Sequence, residues 1–373
     1  MRVSLVEHPD RASGDTLPAR YAASLASIGT GHWIANAQSR MLLAQCCGHD
    51  LPLTVDEDSY DLSYVANPHS AYALYSRREI ELVGLHHGRR AALAGVSLLD
   101  RLLRWIDIGR IVHIDNWLLS TNLHGAWRGE GLANLREQLT ARFPHHFLAL
   151  RSLDNWASPD LLGAARNDGW VLLPARQIWV VDDLARRWRS RNNAGNDRRA
   201  LARSGLRVER AECFTQADQA RIAELYRQLY IEKYSALNPV FTPEFVGLTQ
   251  RIGLIDYRVA RDADGQIMAV AGMMVRDGIM TPTVVGYDTS RPASDALYRI
   301  ACYMFCEAAE QEGWRLHGSA GAAGFKRARG ARGVIEYMAI YVDHLPRHKR
   351  WIVCLLASLL ESWVVPIMRQ EGW

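Results

Sequence analysis

The sequence is poor in cysteine, with six residues in 373: Cys46, Cys47, Cys213, Cys302, Cys306 and Cys354. None forms a CxxC pair and none has companion histidines at zinc-finger intervals, which argues against a disulfide framework and a structural metal site. Cys302 and Cys306 lie one helical turn apart in an apolar stripe and read as buried thiols. An excess of one charge is also lacking. Forty-four basic and 40 acidic residues leave a formal net charge of +4, which neither demands nor excludes a phosphate-bearing partner. There is no low-complexity tract, no long Pro/Gly/Ser linker and no sustained heptad repeat. The opening MRVSLVEHPD carries acidic residues where a signal peptide needs an apolar core, so a cytoplasmic location is expected. A Gly-x-Ser-x-Gly elbow, a Walker loop, HExxH and a dinucleotide fingerprint are absent, leaving no motif for covalent, nucleotide-driven or zinc-dependent catalysis.

What is present is the composition of an ordered α/β protein, 49% apolar and 23% charged. The length favours two domains, and an arginine- and asparagine-rich passage over 182–205 marks the division: 1–182, then 183–373 with a terminal apolar helix. In the first half, 59–68 reads as extended and then a turn. Residues 70–106 read as helical with a break near Gly84 and Gly88, and 110–120 as a strand. A helix near 130–142, a strand over 146–153 and a helix near 158–167 follow. Two strands turning at Pro174 complete 170–182. The second half begins with a strand over 206–212 and a helix over 216–234. Strands 255–262, 266–275 and 279–288 are joined by Asp-Gly turns. A helix opened by Pro292 runs to about Gly313, with Leu297, Ile300, Ala301, Met304, Phe305 and Ala308 at i, i+3, i+4, i+7 spacing. A strand at 315–321, a basic turn and a strand over 334–345 close the domain.

Arg291-Pro292-Ala293-Ser294-Asp295-Ala296 stands directly after the strand ending Gly286-Tyr287-Asp288. It resembles the (Gln/Arg)-x-x-Gly-x-(Gly/Ala) junction of the GNAT superfamily, with Ser294 in place of the usual glycine. The tail 319–346 and the arginine-rich 187–205 are similar to Fem-like and cellulose-biosynthesis-type acetyltransferase domains. The resemblance covers about 185–345. It implies a GNAT-like α/β fold: a mixed, largely antiparallel sheet flanked by helices. The rhythm of the first half suggests a second, degenerate unit in tandem. The resemblance further implies an N-acyltransferase with no permanently bound cofactor and an acyl-CoA or acyl-carrier-protein thioester as co-substrate. Arg291, Ser294 and Ala296 would then meet the donor. A helix N-terminus suits an anion, although Asp295 places a negative charge beside it.

Acyl transfer to an amine needs a held thioester, a donor to the developing oxyanion and a base for the amine proton. His317, Glu336 and Asp288 are candidates for the base, being on or beside central strands. Tyr287 is a candidate donor to an oxyanion or leaving thiolate. Lys326, Arg327 and Arg329 follow the glycine-rich GSAGAAG and are candidates for phosphate or carboxylate. The polar residues at 116–122 are placed in a cleft between the halves, where the acceptor, an amine-bearing small molecule or peptide, is expected. Transfer of an amino acid from tRNA is the second reading, using the arginines of 186–203 on RNA. A binding protein that has kept the fold without the chemistry is the third. Finally, 351–369 is strongly apolar and follows Arg347-His348-Lys349-Arg350, but Glu361 and Pro366 interrupt it. A packed helix is expected there, with peripheral lipid contact as the lesser alternative and no membrane span.

Overall fold

A computed structural model describes residues 3–11, 14–57, 60, 62–83 and 89–371. The first half runs β1 (Val3–Val6), α1 (Leu17–Ile28), α2 (Thr30–Trp33), β2 (Arg40–Cys46) and β3 (His49–Asp56). Two further helices, α3 (Tyr75–Val83) and α4 (Arg89–Trp105), precede β4 (Ile111–Ile114), α5 (Leu132–Arg142), β5 (Phe147–Asp154), α6 (Pro159–Asn167) and β6 (Val171–Val181). After α7 (Asn192–Ser204) the second half runs β7 (Arg207–Arg210), α8 (Gln216–Tyr226), α9 (Pro243–Arg251), β8 (Asp256–Arg261), β9 (Ile267–Arg276) and β10 (Ile279–Tyr287). It ends with α10 (Leu297–Gln311), β11 (Arg315–His317), α11 (Ala323–Arg327), β12 (Arg332–Tyr341), α12 (Arg347–Leu359) and α13 (Val365–Glu371).

All twelve strands form one sheet, ordered β1-β2-β3-β4-β5-β12-β6-β11-β10-β9-β8-β7. The order of connections recurs. In each half an antiparallel meander leads to a strand that runs parallel to the next across an intervening helix, β4 with β5 and β10 with β11. The final strands are exchanged: β6 pairs with β11 of the second half, and β12 pairs with β5 of the first. β6 and β12 also pair with each other, at the middle of the sheet. The nearly unbroken apolar runs of β5 and β9 suit strands covered on both faces, and every residue of β5 is buried.

One apolar cluster ties the halves together, with Tyr21, Leu25, Trp117, Leu118 and Trp156 packed with Ile178, Val180, Tyr226 and Phe241. Backbone bonds cross the same seam from Ala35 to Val240 and from Tyr64 to Leu237. The expected cleft between the halves is therefore filled over much of its length. A space of about 430 Å³ remains between α3 and residues 231–237, lined by Leu74, Arg77, Arg78, Glu81 and Tyr234 among others.

Several expectations are corrected. Residues 170–182 are one strand, because Ala175 bulges between Arg176, opposite Glu336, and Pro174, opposite Tyr337. The bulge absorbs the proline, which cannot donate to the ladder. The strand expected at 110–120 stops at Ile114, where Asp115 and Leu118 take positive φ. Helix α10 begins at Leu297 rather than Pro292: residues 293–295 form a separate 3-10 turn, and Ala296 at φ 57° breaks the path. The basic turn is the short helix α11. The break at Gly84 and Gly88 lies outside the described residues.

Gly286 on β10 lies against α8. A Cβ there would sit 2.6 Å from the Leu225 carbonyl carbon and 2.7 Å from the Tyr226 nitrogen, both backbone atoms that cannot swing aside. Gly286→Ala is expected to destabilise the fold by about 1–3 kcal/mol in chemical denaturation; an unchanged midpoint would mean that α8 moves freely off the sheet.

Candidate functional site

At the exchange of strands, three charged residues stand in register. Asp154 on β5 is opposite Glu336 on β12, which is opposite Arg176 on β6. The Arg176 guanidinium forks onto Glu336, donating from Nε to Oε1 at 2.8 Å and from Nη2 to Oε2 at 3.2 Å. His317, on β11, turns Nε2 to within 3.9 Å of Asp154 Oδ2 and 4.0 Å of Glu336 Oε2. Asp154 and His317 are 0% and 1% exposed. Asp154 Oδ1 accepts from the Trp156 and Ala157 amides, both at 2.6 Å. By contrast, Asp154 Oδ2 and His317 Nε2 have no hydrogen-bond partner among the described residues. A buried polar atom left unpaired is costly; the structure holds several, both nitrogens of His113 among them, and here two of opposite kind face each other.

Burial raises the Asp154 carboxyl, against the pull of His317. Burial lowers His317, with Asp154 and Glu336 opposing it. The Ser319 amide donates to His317 Nδ1 at 3.3 Å. A neutral imidazole must then carry its proton on Nε2, facing the carboxylates. In that tautomer the Nε2 proton faces Asp154 Oδ2, 3.9 Å away.

The loop over 115–122 supports this row from the first half. Arg176 Nη2 donates to the Ser120 carbonyl at 2.6 Å and to Thr121 Oγ1 at 3.1 Å, and Thr121 Oγ1 donates to Ser319 Oγ at 3.3 Å. The loop holds its shape through side chains. Asn116 Oδ1 accepts from Leu118 N, Asn122 Nδ2 and Arg151 Nη1, while Asn116 Nδ2 reaches Thr54 and the Val65 carbonyl. The polar residues of 116–122 thus brace the charged row instead of lining an open cleft. His124 resembles a catalytic histidine beside Asp115, but both its ring nitrogens are engaged, at 2.8 Å to Asp115 and 2.9 Å to the Arg151 carbonyl.

Arg176 is the partly open member of the row, 20% exposed. Its charge acts on Tyr75 and Glu79 of α3 and on Lys326 of α11. Lys326 is half-buried and donates to the Ser319 and Ala320 carbonyls at 3.3 and 2.7 Å. Burial brings its ammonium down to about 7, with Arg176 adding to the fall and Cys302 opposing it.

The remaining sequence-derived candidates are dispersed. Asp288 accepts from Arg221 at 2.7 Å and from Ser290; burial works to raise its carboxyl, but those bonds hold it below the usual range. Tyr287 receives a long bond of 3.5 Å from Lys233 and lies 5.9 Å from the Tyr298 ring. Arg291 is bound to Asp295 at 2.8 Å, Ser294 is exposed in the 3-10 turn, and Ala296 precedes α10 with no side-chain cap. Arg327 lies over Trp179. Arg329 and Arg299 both bind the buried Asp197, at 2.7 to 2.8 Å, tying the turn after α11 to α7 and α10. Glu336 pairs with Arg176 and not with Arg329 or Arg332; Arg332 binds Asp182.

Sequence reasoning brought His317 and Glu336 forward and missed Asp154 and Arg176. A signal was present, since FLALRSLD and WVLLPARQIWVV each place charges inside a run otherwise fit for a buried strand, where a charge needs a partner.

Lys326 gives a pH test. Its folded value lies below the ordinary lysine value of 10.5, so between about pH 7 and 10 the unfolded chain binds more protons than the folded one. Stability from this group therefore rises as pH increases through that window. Urea midpoints should climb across it in the wild type and climb less in Lys326→Met.

Comparison with known proteins gives structural likeness only: no family model matches the chain, and no curated protein matches it by sequence. Similar solved structures include L-PGS from Bacillus licheniformis, 13% identical, with a TM-score of 0.47 over 67% of this chain and 83% of that one. FemX is 9% identical, with a TM-score of 0.43 over 57% and 76%. A GCN5-related N-acetyltransferase from Kribbella flavida is 15% identical, with a TM-score of 0.32 over 64% and 84%. The likeness lies in the path of the chain. The chain's own strand order shows a mixed α/β arrangement with a large, mostly antiparallel sheet flanked by helices.

Proposed function

We propose that this protein transfers an acyl group to an amine, with Asp154 as the proton acceptor and His317 as its positioning partner. The observation that carries the reading is the facing pair of unpaired buried atoms, Asp154 Oδ2 and His317 Nε2, beside the bonded Arg176–Glu336 pair. The neutral amine attacks the carbonyl carbon of an activated acyl group and passes its proton to Asp154; the ester or thioester bond breaks, and the departing oxygen or sulfur takes up that proton and leaves as the alcohol or thiol, which restores the carboxylate. A carboxyl raised by burial is the better base near neutral pH. Arg176 holds Glu336 as a fixed neighbour and, as the partly open residue, marks the side from which the amine enters. We read the two halves as related units, 1–182 and 183–373, with the chemistry at their exchanged strands.

The donor of first choice is acyl-CoA or an acyl-carrier protein. β10 and β11 pair only over Ile279–Met280 with Arg315–Leu316, so the end of β10 that leads to α10 has no pairing with β11 among the described residues. Helix N–H groups without a side-chain cap suit a phosphate there. Against this stands Arg291, already bound to Asp295. A second donor, aminoacyl-tRNA, is favoured by Arg186, Arg187, Arg191, Arg198, Arg199 and Arg203, which are exposed along one stretch. Binding through them would weaken steeply with salt.

Thermal-shift measurements with CoA, acetyl-CoA, a long-chain acyl-CoA, an uncharged pantetheine analogue and aminoacyl-tRNA separate the donors, since a ligand that binds only the folded chain raises the midpoint. A CoA-dependent rise lost in Arg291→Ala supports the first donor; a salt-sensitive rise with tRNA supports the second. With the responding donor, Asp154→Asn should lower kcat by about 10²- to 10⁴-fold at an unchanged melting temperature. Full activity in that variant would remove Asp154 from the mechanism. No donor response at all would make the chain a binding protein on this fold.

A further inference from the structure

Residues Arg347–Gln370 form one continuous helix, long and apolar enough by length and composition to cross a bilayer. It does not stand free. Ile352, Val353 and Leu356 pack against Leu173, Met338 and Ile340, and Val365 and Met368 pack on Ile335. This inner face fixes the helix along the protein. The outer face carries Trp351, Leu355, Leu359, Trp363 and Ile367, all exposed, the tryptophans at 65% and 71%. On a plain α-helix each four-residue step advances about 40°, so such a stripe would drift about 160° from end to end. A π turn at Leu360–Val364, with its wider ring, turns the stripe back and keeps it on one side. Helix α4 extends the same apolar surface with Leu98 and Trp105, the latter 64% exposed and 5.2 Å from the His348 ring.

We infer that this face lies on an anionic lipid surface, with the helix in the plane of the bilayer interface. The charges decide for lipid. Residues 347–371 hold Arg347, Lys349, Arg350 and Arg369 against the carboxylates Glu361 and Glu371. Arg101 of α4 is exposed between Leu98 and Trp105. Arg101, Arg347 and Arg369 have no ion pair among the described residues. An apolar stripe ending in tryptophans and bordered by cations suits the headgroup boundary, where indole rings settle and anionic lipids attract Lys and Arg. A second copy is a poorer occupant, because a two-fold contact sets a face against itself. These cations would then meet like charges with few carboxylates to answer them. Spanning the bilayer would require stripping the inner face from the sheet.

The inference is independent of the proposed chemistry and is tested without it. The full-length protein is floated with vesicles of phosphatidylcholine and with vesicles of phosphatidylcholine mixed with phosphatidylglycerol, at low and high salt. It should rise with the anionic vesicles and less so at high salt. Trp351→Ala with Trp363→Ala should lower that partition by about tenfold or more, because each buried indole contributes a large apolar area. Arg101→Glu with Arg347→Glu should lower it and flatten the salt dependence. All four side chains are exposed, so melting temperatures should stay unchanged and a loss of binding is not a loss of fold. Failure of the wild type to float, or equal flotation of the tryptophan variant, overturns the inference. So does a dimer in light scattering that the tryptophan variant abolishes while neither protein binds vesicles, which would assign the face to a second copy.

Discussion

The pairing of β6 with β12 holds this molecule together. Each half contributes its last strand to the other, so the middle of the sheet exists only where both halves are present. Everything chemically notable follows from that seam. It brings Asp154 from the first half beside Glu336 and His317 from the second, and Arg176 joins them through a two-pronged bond to Glu336. A buried carboxylate without a cation in such a place would be costly. The register that aligns these strands is thus coupled to the charges they carry, because a one-residue slip would turn Arg176 away from Glu336 to the opposite face.

The row joins two contrasting kinds of residue. Arg176 and Glu336 are joined by two bonds, and the loop over 115–122 presents a carbonyl and a hydroxyl to Nη2, the same nitrogen that reaches Glu336 Oε2. Asp154 and His317 are half-satisfied, each tied at one atom by backbone amides and left open at the other. That division is what a reaction site requires: a rigid frame, and one pair of atoms with unused capacity.

Much of the fold was legible because its signals are local. The Asp-Gly turns joining β8, β9 and β10, the helical stripe of α10 and the apolar run of β5 need no knowledge of distant partners. The first meander was not read, although the tight turn at Cys47-Gly48, both at positive φ, separates two strand-like runs. Pro174 misled because a bulge that excuses a proline is created by the partner strand, which lies 160 residues away in sequence for the Arg176–Glu336 pair. The site was half legible for the same reason. His317 and Glu336 declared themselves by type and place, whereas Asp154 gains its meaning only from the strand exchange. The basic cluster at 326–329 read as one binding surface, yet its members do different work: Lys326 turns inward to two carbonyls, Arg327 stacks on Trp179, and Arg329 anchors Asp197.

The exchange of strands also sets an order of assembly. β5 is complete early in synthesis, but the strand that covers its edge, β12, lies near the end of the chain. Until it arrives, β5 offers unpaired backbone groups to any passing strand, the exposure that edge strands normally avoid. Contacts so distant in sequence close late and slowly. The charged row is therefore among the last parts of the molecule to form, and a chain released early holds Asp154 and Arg176 without Glu336 and His317.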